Sequence, residues 1–470
     1  MSKCPHCGAE VQFQPGTQLV HCEYCGSDFQ PEEMQEAPKK GKKVATEQIK
    51  GNAYVCSQCG ATLLTFDETA VTFCSYCGSQ NMLEEKMVSQ DAPDLIIPFQ
   101  KTRDDCIKSY KKKVSHSIFA PSYMKSQPVV QKFRGIYMPY GVYNLSYKED
   151  CVNQGSKYNH RSGNYIYYDK YAIHANIDST YKGMSFDLLS NFYDEYSQSI
   201  PFDSRLAVPF NANYLPGFYA DSKDVPIGTY SDDAIKIASV DSTNYFKHKA
   251  FYRKYSCSCP TVPYHVEEKK LGFFPVYFLS VRDQKDDKKL YYAIINGQTG
   301  KVVADLPIDF IKYIIISILL SVPIFFLLMK LPTITPTAIV WFTILASIVC
   351  IFICFKQGGK VQEREARWDD KGYDYYLRQN QVTDAKKSRR VNLLRKKKIK
   401  LSQYIKLLIA ILLSLGVVIL HPVDDLYYYL ISFASCILIL FSFYDLVKLH
   451  NQLVSRPIPQ LHKRGGDEHE

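Results

Sequence analysis

Four CxxC pairs near the start of the chain constrain the fold more than any other feature of the sequence. They are Cys4/Cys7, Cys22/Cys25, Cys56/Cys59 and Cys74/Cys77, and they take eight of the 15 cysteines. Fourteen residues separate the first pair from the second, and fourteen the third from the fourth. The two units are offset by 52 residues, and ten of 24 positions match between 4–27 and 56–79, which marks an internal duplication.

Two residues between cysteines make a tight knuckle whose amides can hydrogen-bond thiolates. Gly8, Gly26, Gly60 and Gly78 follow the pairs and permit the positive φ such a turn needs. Two knuckles supply four thiolates in a tetrahedron, the arrangement of a closed structural zinc site. We therefore expect two Zn2+ ions, one on Cys4, Cys7, Cys22 and Cys25, the other on Cys56, Cys59, Cys74 and Cys77. Each unit is too small to fold on its own apolar core, so the metal contributes the folding free energy. The competing reading, a redox CxxC, wants a βαβ context that the sequence lacks. Four thiolates leave no open position for catalysis. His6 and His21 sit beside the knuckles as bystanders.

The odd cysteine count argues against a disulfide scaffold. Residues 1–10 lack an apolar core, so we expect a reducing compartment. Cys350, Cys354 and Cys436 lie in apolar runs and read as small hydrophobes, and Cys257 and Cys259 read as an accidental pair.

Charge bears on the nucleic-acid reading that zinc ribbons invite. Residues 1–90 carry 7 Lys/Arg against 11 Asp/Glu. Two Zn(Cys)4 centres would take the region to about −8, the wrong sign for phosphate. The net charge of +10 instead matches the excess in residues 310–470, which hold 22 basic and 12 acidic residues.

The divisions read from the sequence are a first ribbon (1–30), a flexible linker (31–51), a second ribbon (52–90) and an α+β domain with a mainly antiparallel sheet (91–309). Of 36 tyrosines, 24 lie in 94–309. Residues 135–147 and 164–178 read as strands, and 273–282, 290–295 and 301–304 as a meander turning at Asn296-Gly297. A helix is expected over 102–114, capped by Thr102 or Asp104, and another over 231–239.

This domain offers little chemistry. Residues 297–302 resemble a phosphate loop but lack its spacing and its following helix. His265 opens no HExxH, and no GxSxG occurs. His116, His160, His174, His248 and His265 are scattered. A tyrosine-lined groove is the alternative to plain packing.

Beyond residue 310 the chain turns apolar. Segments 311–329, 337–355, 401–420 and 426–443 each approach the length of a bilayer helix, giving a four-helix transmembrane region. Helices 1 and 2 fall in 310–356 and helices 3 and 4 in 401–447, around a basic loop (357–400) and before a tail (448–470). Pro323 should kink the first helix. Lys312 and Lys406 lie near segment ends. The connectors 331–336 and 421–425 carry no Lys or Arg, whereas 356–400 holds 15 basic and 6 acidic residues. The positive-inside rule then puts both termini and 1–309 in the cytosol, as reduced thiolates also require. Residues 386–400 should lie on anionic headgroups. No row of intramembrane charge marks an ion path.

Two ribbons, then Ile97-Pro98-Phe99, then 135–140, 215–220 and 296–301, resemble bacterial double zinc-ribbon membrane proteins of uncharacterised function. These are the TFIIB-type zinc-ribbon proteins, sometimes labelled PriA-helicase-like, and the resemblance spans about residues 1–306. It implies no helicase, since the chain has no Walker motif. The expected function is a non-enzymatic, multi-pass protein of the bacterial inner membrane, docking an unidentified protein partner. The alternatives are a membrane-tethered nucleic-acid binder, and an unrecognised enzyme or ligand-binding activity within 94–309.

Overall fold

Two antiparallel strands, β8 (Arg134–Ser162) and β10 (His265–Arg282), form the spine of the molecule in this computed structural model. The structure describes residues 3–34, 48–66, 71, 73–80, 82–190, 192–248, 262–328, 330, 335–366, 370–372, 374–375 and 404–457. Residues 136–143 and 271–281 are buried without a break, the pattern of strands covered on both faces.

The first ribbon is a small sheet of β1 (Gln12–Gln14), β2 (Leu19–His21) and β3 (Asp28–Phe29). The second comprises β4 (Gln48–Cys56), β5 (Thr62–Thr65) and β6 (Met82–Asp91). It is continuous with the large sheet, because Leu64 of β5 pairs with Ala220 of the short strand 219–220, which runs parallel to β8. The other parallel contact is made by β7 (Leu95–Ile96) with β10. The remaining strand pairs in this sheet are antiparallel, and a meander of 265–282, 289–296 and 302–304 ends the domain.

Segments singled out in the sequence meet around Phe99. Its ring stacks on Phe218 at 4.1 Å and meets Tyr137 and Tyr277 edge-on at 4.9 Å. A Cβ at Gly297 would lie 2.5 Å from the Phe99 ring, and one at Gly135 equally close to Phe218. Those motifs are packing signatures. The turn at 296–301 offers no phosphate cradle, since Asn296 Oδ1 already accepts from the amides of Gln298 (2.8 Å) and Thr299 (2.9 Å).

Helix α1 (Arg103–His116) carries the expected Thr102 cap, closed by Asp105 into a capping box, and buries Cys106, Tyr110 and Val114. Helix α2 (Ser231–His248) runs past the expected end at 239 and buries Ala234 and Ala238 against the sheet. Strand β8 continues beyond 147 and pairs with β9 (Tyr165–Asp187) to the tip of a two-stranded arm. The strand is exposed from Lys157 to Ser162, five steps that make the exposed tip about 17 Å long. Tyr158, Tyr165, Tyr167 and Tyr168 are exposed on it.

Among the described residues three helices are long and apolar enough to cross a membrane: Phe310–Leu328, Pro336–Ala366 and Asp425–Val454. A fourth apolar helix, Tyr404–Leu420, is shorter, and residues 401–403 of the expected span lie outside the described residues. Pro323 sits inside the first. Lys406 on the shorter helix bonds Asp445 on the last at 2.8 Å, so two charges in apolar surroundings are paired. Thr343, Ser414 and Ser435 link three of these helices through hydroxyls 3.1 and 3.2 Å apart.

The chain then returns to the domain. Asn451 accepts from the Ile308 amide (2.8 Å) and donates to its carbonyl (3.1 Å). Arg456 and Pro457 pair with Leu290 and Lys289 of the meander. The Arg456 guanidinium lies over Tyr193 (3.6 Å) and Tyr196 (3.9 Å), with Asp305 beside it. Most of the basic loop, the linker residues 35–47 and the pair Cys257/Cys259 lie outside the described residues.

Candidate metal centres

Each CxxC pair folds as a knuckle held by two backbone bonds. In the first, the Gly8 amide donates to the Cys4 carbonyl (2.9 Å) and the Cys4 amide to the Ala9 carbonyl (2.8 Å). The same two bonds recur at Cys22, Cys56 and Cys74. The four knuckle glycines have φ between +68° and +77°, so the left-handed turn explains why glycine recurs there.

The knuckles bring the eight cysteines into two groups of four, and within each all sulfurs lie within 4.8 Å of one another. Cys4–Cys25 and Cys7–Cys22 are 3.5 Å apart, and Cys56–Cys77 and Cys59–Cys74 are 3.6 Å apart. A tetrahedron with bonds of about 2.3 Å has an edge of about 3.8 Å, so the donor sets fit a zinc-sized ion with small adjustment. His21 is engaged with Asp28 (2.7 Å) and His6 with Ser27 (3.1 Å), and neither belongs to the groups.

The surroundings of the two groups differ. Cys56, Cys59, Cys74 and Cys77 are all buried, among Tyr54, Phe278, Tyr292 and Ile294. Arg282 donates to the Cys77 carbonyl (3.1 and 3.2 Å) and to Gln58 (2.8 Å), which sets a cation beside a centre that would carry −2. Tyr76 donates to the buried carboxyl of Asp221. At the first site Cys4 and Cys22 are buried, while Cys7 and Cys25 are exposed.

Proton chemistry does not follow that division: although a backbone bond to Ala9 lowers it, burial and the sulfurs of Cys22, Cys4 and Cys25 push the exposed Cys7 thiol up to about 12. Hydrogen bonding to Ser27, by side chain and backbone, pulls the Cys25 thiol down to about 6. In the buried group, hydrogen bonding to Cys56 holds Cys59 and Cys74 well above the usual thiol range, while Cys56 is held far below it by Cys59. Metal binding must displace those protons, so affinity rises with pH.

Arg282, Tyr76 and Asp221 are partners that sequence reasoning missed, and no local signal marks them. Arg282 lies 205 residues from the carbonyl it caps. The scattered histidines form no site: His116 is held by the Lys112 carbonyl, and His160 stacks on Tyr167. Among the described residues no third group of His, Cys, Asp or Glu closes around a common point.

No protein-family model and no solved structure matches the chain. It is similar to a protein of Bacillus subtilis (strain 168) called "Uncharacterized protein YdjG". The two are 24% identical over 322 residues, which cover 65% of this chain and 90% of that protein.

Proposed function

We propose that the chain is a non-enzymatic, four-pass protein of a bacterial cell membrane. It holds two structural zinc ions and displays its ribbons and α+β domain in the cytosol for docking to a protein partner. On this reading it groups with the double zinc-ribbon membrane proteins that its motifs resemble.

The observation that carries the topology is the closure of the apolar region. It leaves the domain at Phe310 and comes back to the same sheet at Arg456, with Asn451 bonded to Ile308. A chain that starts and ends on one side crosses the bilayer an even number of times. Three long helices therefore call for the fourth, Tyr404–Leu420, whose 17 residues span about 26 Å against a hydrocarbon core of about 30 Å. The basic residues of 356–400 and the need of the thiolates for a reducing compartment both favour the cytosolic side.

The docking role is supported by the first ribbon. One face is seated on the domain, and the other presents Tyr24, which is 83% exposed. Crosslinking and affinity purification of the tagged full-length chain from membranes is the test. A defined partner that is lost when Tyr24 and Glu23 are changed to Ala and Lys supports docking. An unchanged set of partners refutes a role for the ribbon.

The arm favours a second reading. Lys157, Arg161 and Lys170 lie among its exposed tyrosines, a mixture suited to stacking bases and meeting phosphates. Salt-dependent binding of single-stranded DNA or RNA by the detergent-solubilised protein would establish that reading, and no binding at low salt would remove it.

A further inference from the structure

The two donor sets share one geometry and differ in access. The second is sealed in the apolar core, and even the knuckle glycine Gly78 has the Ser280 hydroxyl 3.7 Å from where a Cβ would stand. At the first site nothing lies within 4 Å of such a Cβ on Gly8 or on Gly26. Cys7 and Cys25 are exposed, so one face of that tetrahedron is open to solvent. A closed four-thiolate zinc exchanges its ligands only when an incoming donor reaches the metal or a thiolate dissociates. At the first site a donor can approach directly. At the second the core must first open, and that opening draws on the stability of the domain.

We propose that the first centre is an exchange site, which gives its metal to and takes it from thiolate-bearing acceptors, while the second is a permanent staple. This rests on the reading of both groups as zinc sites. The step is a ligand exchange without oxidation or reduction. An incoming thiolate forms a Zn–S bond on the open face, the bond to Cys7 or Cys25 breaks, and the released thiolate is free to take a proton from water. Cys4 and Cys22 are buried with Val11 and Phe13, so the ion is handed over when the loss of the two outer bonds loosens the ribbon and exposes the two inner thiolates to the acceptor.

Exchange has a structural consequence, because the first ribbon is seated through contacts that its fold must maintain. Phe13 lies edge-on to Tyr214 at 5.0 Å, and its amide donates to the Pro216 carbonyl (3.1 Å). Asn211 and Asn213 both donate to the Pro31 carbonyl at 2.8 Å, and Tyr214 donates to Glu32 at 2.6 Å. A ribbon without metal loses its fold. Loss of the first ion then loosens residues 4–29 and uncovers Tyr214 and Leu215, while the second ribbon stays in the sheet. Metal occupancy of one site thereby sets whether this surface is covered.

The test uses the zinc-loaded, full-length protein in detergent, with pyridylazoresorcinol as metal acceptor. Two equivalents of zinc per chain are expected, one leaving about tenfold or more faster than the other, since each 1.4 kcal/mol of opening slows access tenfold. N-ethylmaleimide added during the fast phase should label Cys7 and Cys25 and spare Cys56, Cys59, Cys74 and Cys77. Hydrogen exchange should rise at 11–20 and 211–216 in the same interval. Cys25→Ser should abolish the fast phase and keep the slow equivalent. Release of both ions in a single phase, or early labelling of the second group in the wild-type chain, overturns the assignment without touching the zinc reading. A wild-type chain that retains no zinc refutes that reading, and this inference with it.

Discussion

At the residue scale, burial decides how polar groups near the second centre behave. Asp221 is buried beneath Tyr76, and burial, the largest influence, raises its carboxyl to about 7 from an ordinary 3.8. The folded chain therefore holds this proton over a range in which the unfolded chain has released it. Stability from Asp221 is complete below about pH 4 and is lost as pH rises to about 7. Asp221→Asn should flatten stability across that window, as read by thermal unfolding at pH 4.5 and pH 7.5. The cysteines were legible in the sequence because ligand spacing is a local property: two residues make a knuckle wherever the rest of the chain lies. Asp221 and Arg282 were not, since what gives them a role is a contact made 145 or 205 residues away along the chain.

At the element scale, the same contrast separates what periodicity reveals from what pairing creates. Helix α1 was readable to within two residues of its cap, left between Thr102 and Asp104, and the structure decides for Thr102 through a capping box with Asp105. The meander was readable because Asn296 and Gly297 punctuate two apolar runs. The arm was not readable as one element. Residues 157–162 are mostly polar and exposed, and ladder bonds to β9 hold them as strand, whereas the base of the arm at Cys151 and Ile177 still touches the core. Its tip therefore contributes little to the stability of the domain. Replacing residues 157–169 by Asn-Gly, which joins Ser156 to Lys170 in register, should leave the unfolding temperature within about 2 °C of the parent. A larger fall would mean that the tip packs against the body.

At the scale of the whole molecule, the ribbons and the domain form one folded body, and the last long helix is tied back to it. The sequence marks 448–470 only as a tail, since an Arg-Pro dipeptide has no strand signature, and its pairing partner at 289–290 lies far upstream. Arg456 is buried between two tyrosine rings, so Arg456→Ala should cost about 2–4 kcal/mol and lower the thermal midpoint of the solubilised protein. It should also speed proteolysis around residue 455. An unchanged midpoint would mean that the clasp contributes nothing to the fold. The clasp also sets an order of events during synthesis. Leu290 and Lys289 leave the ribosome about 165 residues before Arg456 and Pro457, and at 5–20 residues per second the edge they form stays open for roughly ten to thirty seconds. On the proposed topology, the apolar helices enter the bilayer in that interval while an unpaired strand end stays exposed. On that topology, completion of the sheet becomes a late checkpoint, reached only by chains whose last helix has delivered residue 456 to the side on which the sheet is waiting.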